Sequence, residues 1–488
     1  MSSRRVVAGV DSSTQSCKVE IYDLETGERL GGGSAPHPSV FPPTSEQNPN
    51  DWWDAFVIAF RYAMRDAKTS PEDIVGISVA AQCHGLVVLD ANDDVIRPAK
   101  LWNDTTSAPD LANLRDQIGN ARLVDRIGTL PTAAFTIGKL AWLARVEPQN
   151  FERIAHVLLP HDYLTFRLTG RRVTDRSEAS GTGYFDAATN EYLPEFLAKI
   201  DPERDWIPLL PAVLGPGIPA GEVTMDAQEA LGVSAGVTVG AGGGDQHAAA
   251  LGLGIVPGDV VYSFGTSGVV SALSATPIRD HQGFVDGVAD MTDGFMPLVS
   301  TLNAAKTTDT FARILGLTHA ELSALALRAD PTDAPSLAPY LDGERTPDLP
   351  DAVGILSCLT TATTREQVAY AAYEGVILGL VSGQRHLERM GVPTNGTILA
   401  VGGGAKSAAY VQLLADATGR PVAVADVNEA TARGAAVQAA AVASGRPVAE
   451  VRRQWKPTRR IVAEPRAFSN DRWEAFRAVT SIRSLDRS

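Results

Sequence analysis

GDVVYSFGTSGVVSAL, residues 258–273, repeats a layout already present in RRVVAGVDSSTQSCKVEI, residues 4–21: an apolar strand, a turn of Gly, Ser and Thr, then a second strand. The likeness is one of pattern, not of residue identity. An internal echo of this kind points to two related domains, each opening with a hairpin whose turn offers backbone N–H groups and hydroxyls to an anion. VVAGVD (6–11) and KVEIYD (18–23) form the first hairpin. VGISVAA (75–81) and GLVVLD (85–90) read as a second strand pair joined by Gln82, Cys83 and His84. Between them WWDAFVIAFRYAMRDA (52–67) places Trp53, Phe56, Val57 and Phe60 on one helical stripe. Residues 105–230 read as helices with loops, among them LANLRDQIG, IGKLAWLARV and FERIAHVL, with a Gly/Pro-rich stretch at 211–221.

Composition bounds what such a pair of domains can do. The 488 residues, 44% hydrophobic and 20% charged, exceed what one core holds and fit two large domains. A formal net charge of -14 repels nucleic acid and anionic membrane and favours a neutral or metal-accompanied substrate. The three cysteines, Cys17, Cys83 and Cys358, make no CxxC motif, so no zinc site is visible and the thiols read as inert in a reducing compartment. Asp11 interrupts the N-terminus before any signal-peptide core forms, and no run of about 18 apolar residues follows, so a cytoplasmic location is expected.

TILAVGGGAKSAAYVQLLADATG (397–419) is a third strand that runs into a glycine turn, followed by a helix. Its Lys406-Ser407 ending suggests a P-loop, but positions 400 and 405, where that motif needs glycine, are both alanine. A GxGxxG fingerprint fails too, since Ser407 takes the third glycine's place. In GGGDQH (242–247) an aspartate follows three glycines at a strand end. Two readings stand side by side: a helix cap, or a carboxylate cleared for a ligand. Carboxylates beside a bound triphosphate repel it unless a divalent cation lies between, so Asp11 reads as a Mg²⁺ ligand, direct or through water.

Taken together, GVDSST, QCHG (82–85), LWND (101–104), GGGDQH, SFGTSG (263–268), REQVAYAAYEGV (365–376) and VGGGAKSAAYVQLLAD (401–416) resemble the FGGY family of carbohydrate kinases, most closely its xylulose-directed members. The resemblance covers nearly the whole chain. It implies an α/β fold of two ribonuclease-H-like domains, the superfold of actin, hexokinase and Hsp70, with a cleft between them where sugar and ATP meet. The domains are expected at 1–250, with the sugar side and the first phosphate hairpin, and at 251–488, with the second phosphate turn and the adenosine pocket.

The resemblance further implies that Asp245 is the catalytic base and, with Asp11, a ligand of Mg²⁺. Ser12, Ser13, Thr14 and Lys18 would hold ATP phosphates, with Gly265 and Thr266 as the second phosphate turn. Gly403, Gly404 and Ser407 would line the adenosine pocket. The sugar would meet Cys83, His84, Trp102, Asn103, Asp104, Asp245 and Gln246, a set suited to hydroxyls that both donate and accept. His247, two residues along a helix from Asp245, reads as structural. A Cys83–His84 nucleophile pair is rejected because neighbours in an extended segment point to opposite faces.

Some residues depart from the family pattern: Cys83 replaces the usual Met, Gln246 the Asn that follows the base, and Cys358 a glycine of the second signature, while the first signature around KLAWLARVE (139–147) is loose. A non-catalytic sugar sensor is disfavoured because Asp11, Asp245 and the phosphate turns occur together. A chaperone or filament protein of the same superfold has no use for QCHG and LWND. VRRQWKPTRRIV (451–462) reads as solvated surface or acidic-domain docking, not a nucleic-acid site, with NDRWEAFRAV (470–479) as a terminal helix. The expected partner is a small sugar, with no nucleic acid and no membrane. A second copy of the chain, in a homodimer, is left open.

Overall fold

The strand β1 (Val6–Ser12) is buried at every residue because it is paired on both edges and covered on both faces. This computed structural model describes residues 4–482. β1 pairs antiparallel with β2 (Ser16–Asp23), which pairs with β3 (Arg29–Pro36). On its other edge β1 runs parallel to β4 (Ile74–Ala81), and β4 in turn to β6 (Thr238–Val239), with β5 (Gly221–Glu222) at the margin. α1 (Pro49–Ala67) crosses back between β3 and β4, its start capped by Asn48, whose side chain accepts from the Asn50 amide.

The second half repeats this order strand for strand. β7 (Val260–Phe264) pairs antiparallel with β8 (Gly268–Ala272), and β8 with β9 (Leu298–Thr301). β10 (Ile398–Val401) lies parallel to β7 and β11 (Val422–Ala425) parallel to β10, closed by antiparallel β12 (Arg459–Ala463). The echo in the sequence is thus an echo in topology, and the chain is a mixed α/β molecule of two ribonuclease-H-like halves.

Two sequence expectations need correction. GLVVLD does not pair with β4; its strand, Val87–Leu89, pairs antiparallel with His156–Leu158. Both edges of β4 are already taken by β1 and β6, and His84 adopts a left-handed backbone (φ 63°) that turns the chain away. FERIAHVL is accordingly not one helix: the helix Pro148–Glu152 stops and His156–Leu158 becomes strand. An apolar run of three residues is too short to show its period.

Two helices tie the halves together. α2 (Asp245–Gly252) sends Ala250, with Leu253 and Ile255 just beyond it, into a cluster with Val261, Leu399 and Ala423 of the second sheet. α5 (Ala430–Ser444) packs Ala435, Ala436 and Ala439 against Val7 and Ala80 of the first sheet, with α3 (Arg365–Arg389) and α4 (Ala408–Thr418) preceding it. Each helix therefore covers the other half's sheet, and the two cross backbone to backbone. A Cβ on Gly434 would lie 1.8 Å from the Ala248 carbonyl oxygen, and one on Gly252 2.0 Å from that of Ala430. Gln438 anchors α5, accepting from the Ser78 hydroxyl (2.6 Å) and the Gly242 amide (2.8 Å) and donating to the Gly242 carbonyl (3.1 Å). The domain division expected at residue 250 falls inside α2.

Candidate active site

Asp245 is the first residue of α2, and the cap position before it belongs to Gly244. Its Oδ1 accepts from the next amide, Gln246 (2.7 Å), and from Cys83 Sγ (3.3 Å), a sulfur delivered from beyond the end of β4. An N-cap accepts from the amides two or three residues on, so this carboxylate is not serving as one. Burial pushes its pKa up to about 6 against those two hydrogen bonds, and the nearby Glu178 charge adds to the rise. Asp11, at the end of β1, is raised to about 7, again chiefly by burial and despite the Ser13 hydroxyl bonded to it, with the Asp245 charge contributing. Among the described residues no ion pair serves Asp11, because the Lys18 ammonium is 2.8 Å from Glu429 instead.

Two cavities meet at one turn near Asp245, which lines the smaller, while Asp11 lines neither. The larger, about 690 Å³, is lined by Phe264, Tyr373, Tyr410 and Leu327, with Gly403, Gly404 and Ser407 on one wall. The smaller, about 400 Å³, takes Thr14, Cys83, His84, Trp102, Asp245 and Gln246 from the first half. The turn residues Gly265 and Thr266 line both, so a single turn separates them. An apolar aromatic compartment and a polar one joined at a phosphate-sized turn suit a nucleoside triphosphate on one side and a polyhydroxylated acceptor on the other.

Not every residue singled out in the sequence reaches a cavity. Ser12, Ser13 and Lys18 lie at the first hairpin without lining either one, whereas Thr14 faces the smaller, donating to Gln82 Oε1 (3.1 Å) and accepting from Trp102 Nε1 (2.9 Å). Asn103 also lines neither. Asp104 is fully buried, paired with Lys100 Nζ (3.0 Å) and accepting from the Ser45 amide (2.9 Å) and the Thr106 amide and hydroxyl (3.0 and 2.6 Å). With its oxygens occupied, it braces the loop that carries Trp102 and does not face the cavity.

His84 stacks on Phe135 with ring centroids 4.9 Å apart, and its Nδ1 lies 3.1 Å from Glu178 Oε1. Cys83 and His84 line the same cavity, contrary to the opposite-face argument, because the left-handed residue breaks the extended run. Burial, then the charges of Glu178 and Asp245, push the Cys83 thiol well up, which leaves it a donor and not a thiolate nucleophile. His247 is buried at the margin of this cavity.

Sequence reading missed four participants. Phe135, Asp286 and Arg345 line the smaller cavity, and Glu178 holds the His84 amide at 2.6 Å. Glu178 sits in TDRSEASGTG, whose clustered Ser, Thr and Gly were the available signal; Asp286 and Arg345 lie in irregular segments without one.

Residues 6–252 match the model of the N-terminal domain of the FGGY family of carbohydrate kinases, and residues 260–443 that of its C-terminal domain. The xylulose kinase of Streptomyces coelicolor is 40% identical over 453 residues, 92% of this chain and 90% of its own. The crystal structure of xylulose kinase from Bifidobacterium adolescentis superposes with a TM-score of 0.86 at 37% identity, covering 98% of this chain and 99% of that one. A gluconate kinase from Lactobacillus acidophilus shares the fold, with a TM-score of 0.88 at 21% identity over 99% of this chain and 97% of its own.

Proposed function

The chain belongs to the FGGY family of carbohydrate kinases, and from that premise we propose that it transfers the γ-phosphoryl group of ATP to D-xylulose, giving D-xylulose 5-phosphate. The observation that carries this reading is the position of Asp245, a carboxylate lining the same cavity as the Gly265–Thr266 turn that this cavity shares with the aromatic one. The aromatic cavity with Tyr373 and Tyr410 would take the base of ATP, and Gly265 and Thr266 its phosphates. The sugar lies between His84, Trp102 and Asp245. Asp245 accepts the hydroxyl proton as the bond to phosphorus forms, with Gly265 and Thr266 of the shared turn beside the phosphoryl group.

Asp11 and Asp245 fit a hard divalent cation: both are carboxylates, Asp11 is buried, Asp245 is half-buried at the cavity wall, and the Asp245 charge acts on Asp11. They are the residues that would hold Mg²⁺, which when bound neutralises phosphate charge. The family-model bounds at 252 and 260 support a boundary between a sugar-side and a nucleotide-side half near residue 250. Among the described residues no helix is long and apolar enough to cross a membrane, and a cytoplasmic enzyme acting on small molecules is the setting we propose.

A coupled ADP assay with Mg²⁺ and a panel of ketopentoses, hexuloses, pentitols, glycerol and gluconate tests this reading. D-Xylulose is expected first and D-ribulose second. A different leader overturns the substrate, and no sugar-dependent ADP release overturns the kinase. A sugar acid is the second reading because Arg345 puts a guanidinium into the polar cavity, which is why gluconate is on the panel.

Lys139 makes a separate prediction. It is fully buried, with burial lowering its pKa to about 7 against the pull of Asp104 and Glu178, and it donates to the His84 carbonyl at 2.7 Å. In Lys139→Met that carbonyl keeps the Thr136 hydroxyl at 3.2 Å, and the left-handed backbone of His84 loses one restraint while the Glu178 bond to its amide remains. The KM for the sugar is expected to rise about tenfold, the worth of one charge-assisted hydrogen bond, with kcat changing far less. Steady-state kinetics separating the two parameters check it.

A further inference from the structure

Beneath Asp245, three donor side chains from separate parts of the chain converge: Cys83 after β4, Glu178 in the turn of helix Arg176–Ala179, and His247 on α2. One ligand atom of each lies within 4.8 Å of the others, and all three residues are buried. Among the described residues, Glu178 Oε2 accepts no hydrogen bond of ordinary geometry and neither ring nitrogen of His247 has a partner. Leaving such groups unmatched in an interior is costly, so something between them is called for. An ideal Cβ on Gly244 would lie 2.5 Å from Glu178 Oε2 and 2.7 Å from both Cys83 Sγ and His247 Nδ1, so the three atoms converge on one side of that glycine. Spacings within 4.8 Å are of the order that ligands of one Zn²⁺ span, since these stand about 2.3 Å (sulfur) and about 2.0–2.2 Å (nitrogen or oxygen) from the ion.

We propose that Cys83, Glu178 and His247 form a buried Zn²⁺ site directly beneath the catalytic carboxylate. A thiolate, an imidazole and one carboxylate select a borderline-soft ion over Mg²⁺. The site is distinct in donor set from the Asp11–Asp245 pair. As the ion enters, the Cys83 thiol gives its proton to solvent and its sulfur becomes a ligand. The S–H that Cys83 now donates to Asp245 is lost in the same step, so occupancy is felt at the base. Glu178 is already oriented for this, its Oε1 fixed by the His84 amide while Oε2 points into the cluster. No CxxC spacing marks the site, because its ligands lie 95 and 69 residues apart in sequence. The site does not depend on which sugar is phosphorylated.

The test is metal binding by the full chain after chelator treatment and dialysis. Wild type is expected to take up one equivalent of Zn²⁺. With Co²⁺ as the probe it is expected to show a thiolate-to-cobalt charge-transfer band that Zn²⁺ abolishes. Cys83→Ser should lose the band and bind Zn²⁺ at least about 100-fold more weakly, since even residues behind the ligands matter 10- to 100-fold. The double variant Cys17→Ser/Cys358→Ser leaves the cluster intact and should keep the band, which then comes from Cys83 alone. This arm decides the matter even if Cys83→Ser does not fold. Absence of the band in wild type, its loss in the double variant while that protein remains folded, or its survival in folded Cys83→Ser overturns the site, leaving these groups to an ordinary water.

Discussion

Asp245→Asn is expected to lower kcat by about 10²- to 10⁴-fold, the usual worth of a positioned general base. The amide keeps the size and hydrogen-bonding reach of the carboxylate but does not take the hydroxyl proton, so sugar affinity measured by calorimetry should change little. The N-cap of α2 is Gly244 and not Asp245; near-normal turnover would leave the transfer without an identified base. The raised pKa sets a pH signature as well. The base is ionised above about 6, so kcat/KM should fall as pH drops through that value, and the residual activity of the variant should lack this limb. For stability the sign is the reverse. A carboxyl raised from 3.8 to about 6 holds its proton more tightly in the folded state, so the stability it lends at low pH is lost as pH rises through about 6. At pH 8 without Mg²⁺ the Asn variant, free of that loss, is expected to resist denaturant better, by about 3 kcal/mol. An inactive and less stable variant would mean that the loss of activity came from misfolding.

Gly434→Ala is expected to be among the most damaging single methyls in the molecule, its clash matched by that at Gly9. In an exposed helix this change stabilises by about 1 kcal/mol. Here the added Cβ would lie 1.8 Å from the Ala248 carbonyl oxygen and 2.6 Å from its carbon, both backbone atoms that no rotamer change can move aside. α2 and α5 must separate, which opens the layer between the two sheets and shifts Asp245 at the start of α2. A loss of at least about 3 kcal/mol is expected, at the upper end of overpacking effects, together with lower kcat. Gly391→Ala, a glycine of positive φ with open space around it, is a control for backbone strain without collision. Denaturant unfolding of both variants distinguishes collision from strain, and an unaffected Gly434→Ala would show that the crossing can dilate freely.

How much of this was legible in the sequence follows from what makes a pattern local. The hairpins of β1–β2 and β7–β8 are read from strand–turn–strand runs, because adjacent strands need only a turn between them. The partner of Val87–Leu89 lies about seventy residues on, at His156–Leu158, and nothing nearby announces it. The same distinction holds in the site. Thr14, Cys83, His84, Trp102, Asp245 and Gln246 were found because they sit in recognisable motifs, and the structure gathers them at one cavity. Asp104 belongs to one of those motifs too, yet its neighbour Lys100 decides its role, and burial pairs the two. Asp286, Arg345 and Phe135 reach the cavity from segments with no period or spacing of their own. Proximity created by tertiary folding leaves no mark in the sequence around each residue.

The exchange of α2 and α5 also bears on how the chain is made. A ribosome delivers the first sheet complete once Gly243–Gly244, the last segment to pair with β4, has emerged, but the helix that covers its inner face comes from the far half. The 177 residues between Gly252 and Ala430 must be synthesised first, which at about 5–20 residues per second takes on the order of 10 to 35 s. Throughout that interval Val7 and Ala80 belong to an apolar face without its native cover. The nascent chain is therefore a client for any factor that shields such a face, and release comes when α5 is threaded into place, late in translation, after nearly nine-tenths of the protein already exists.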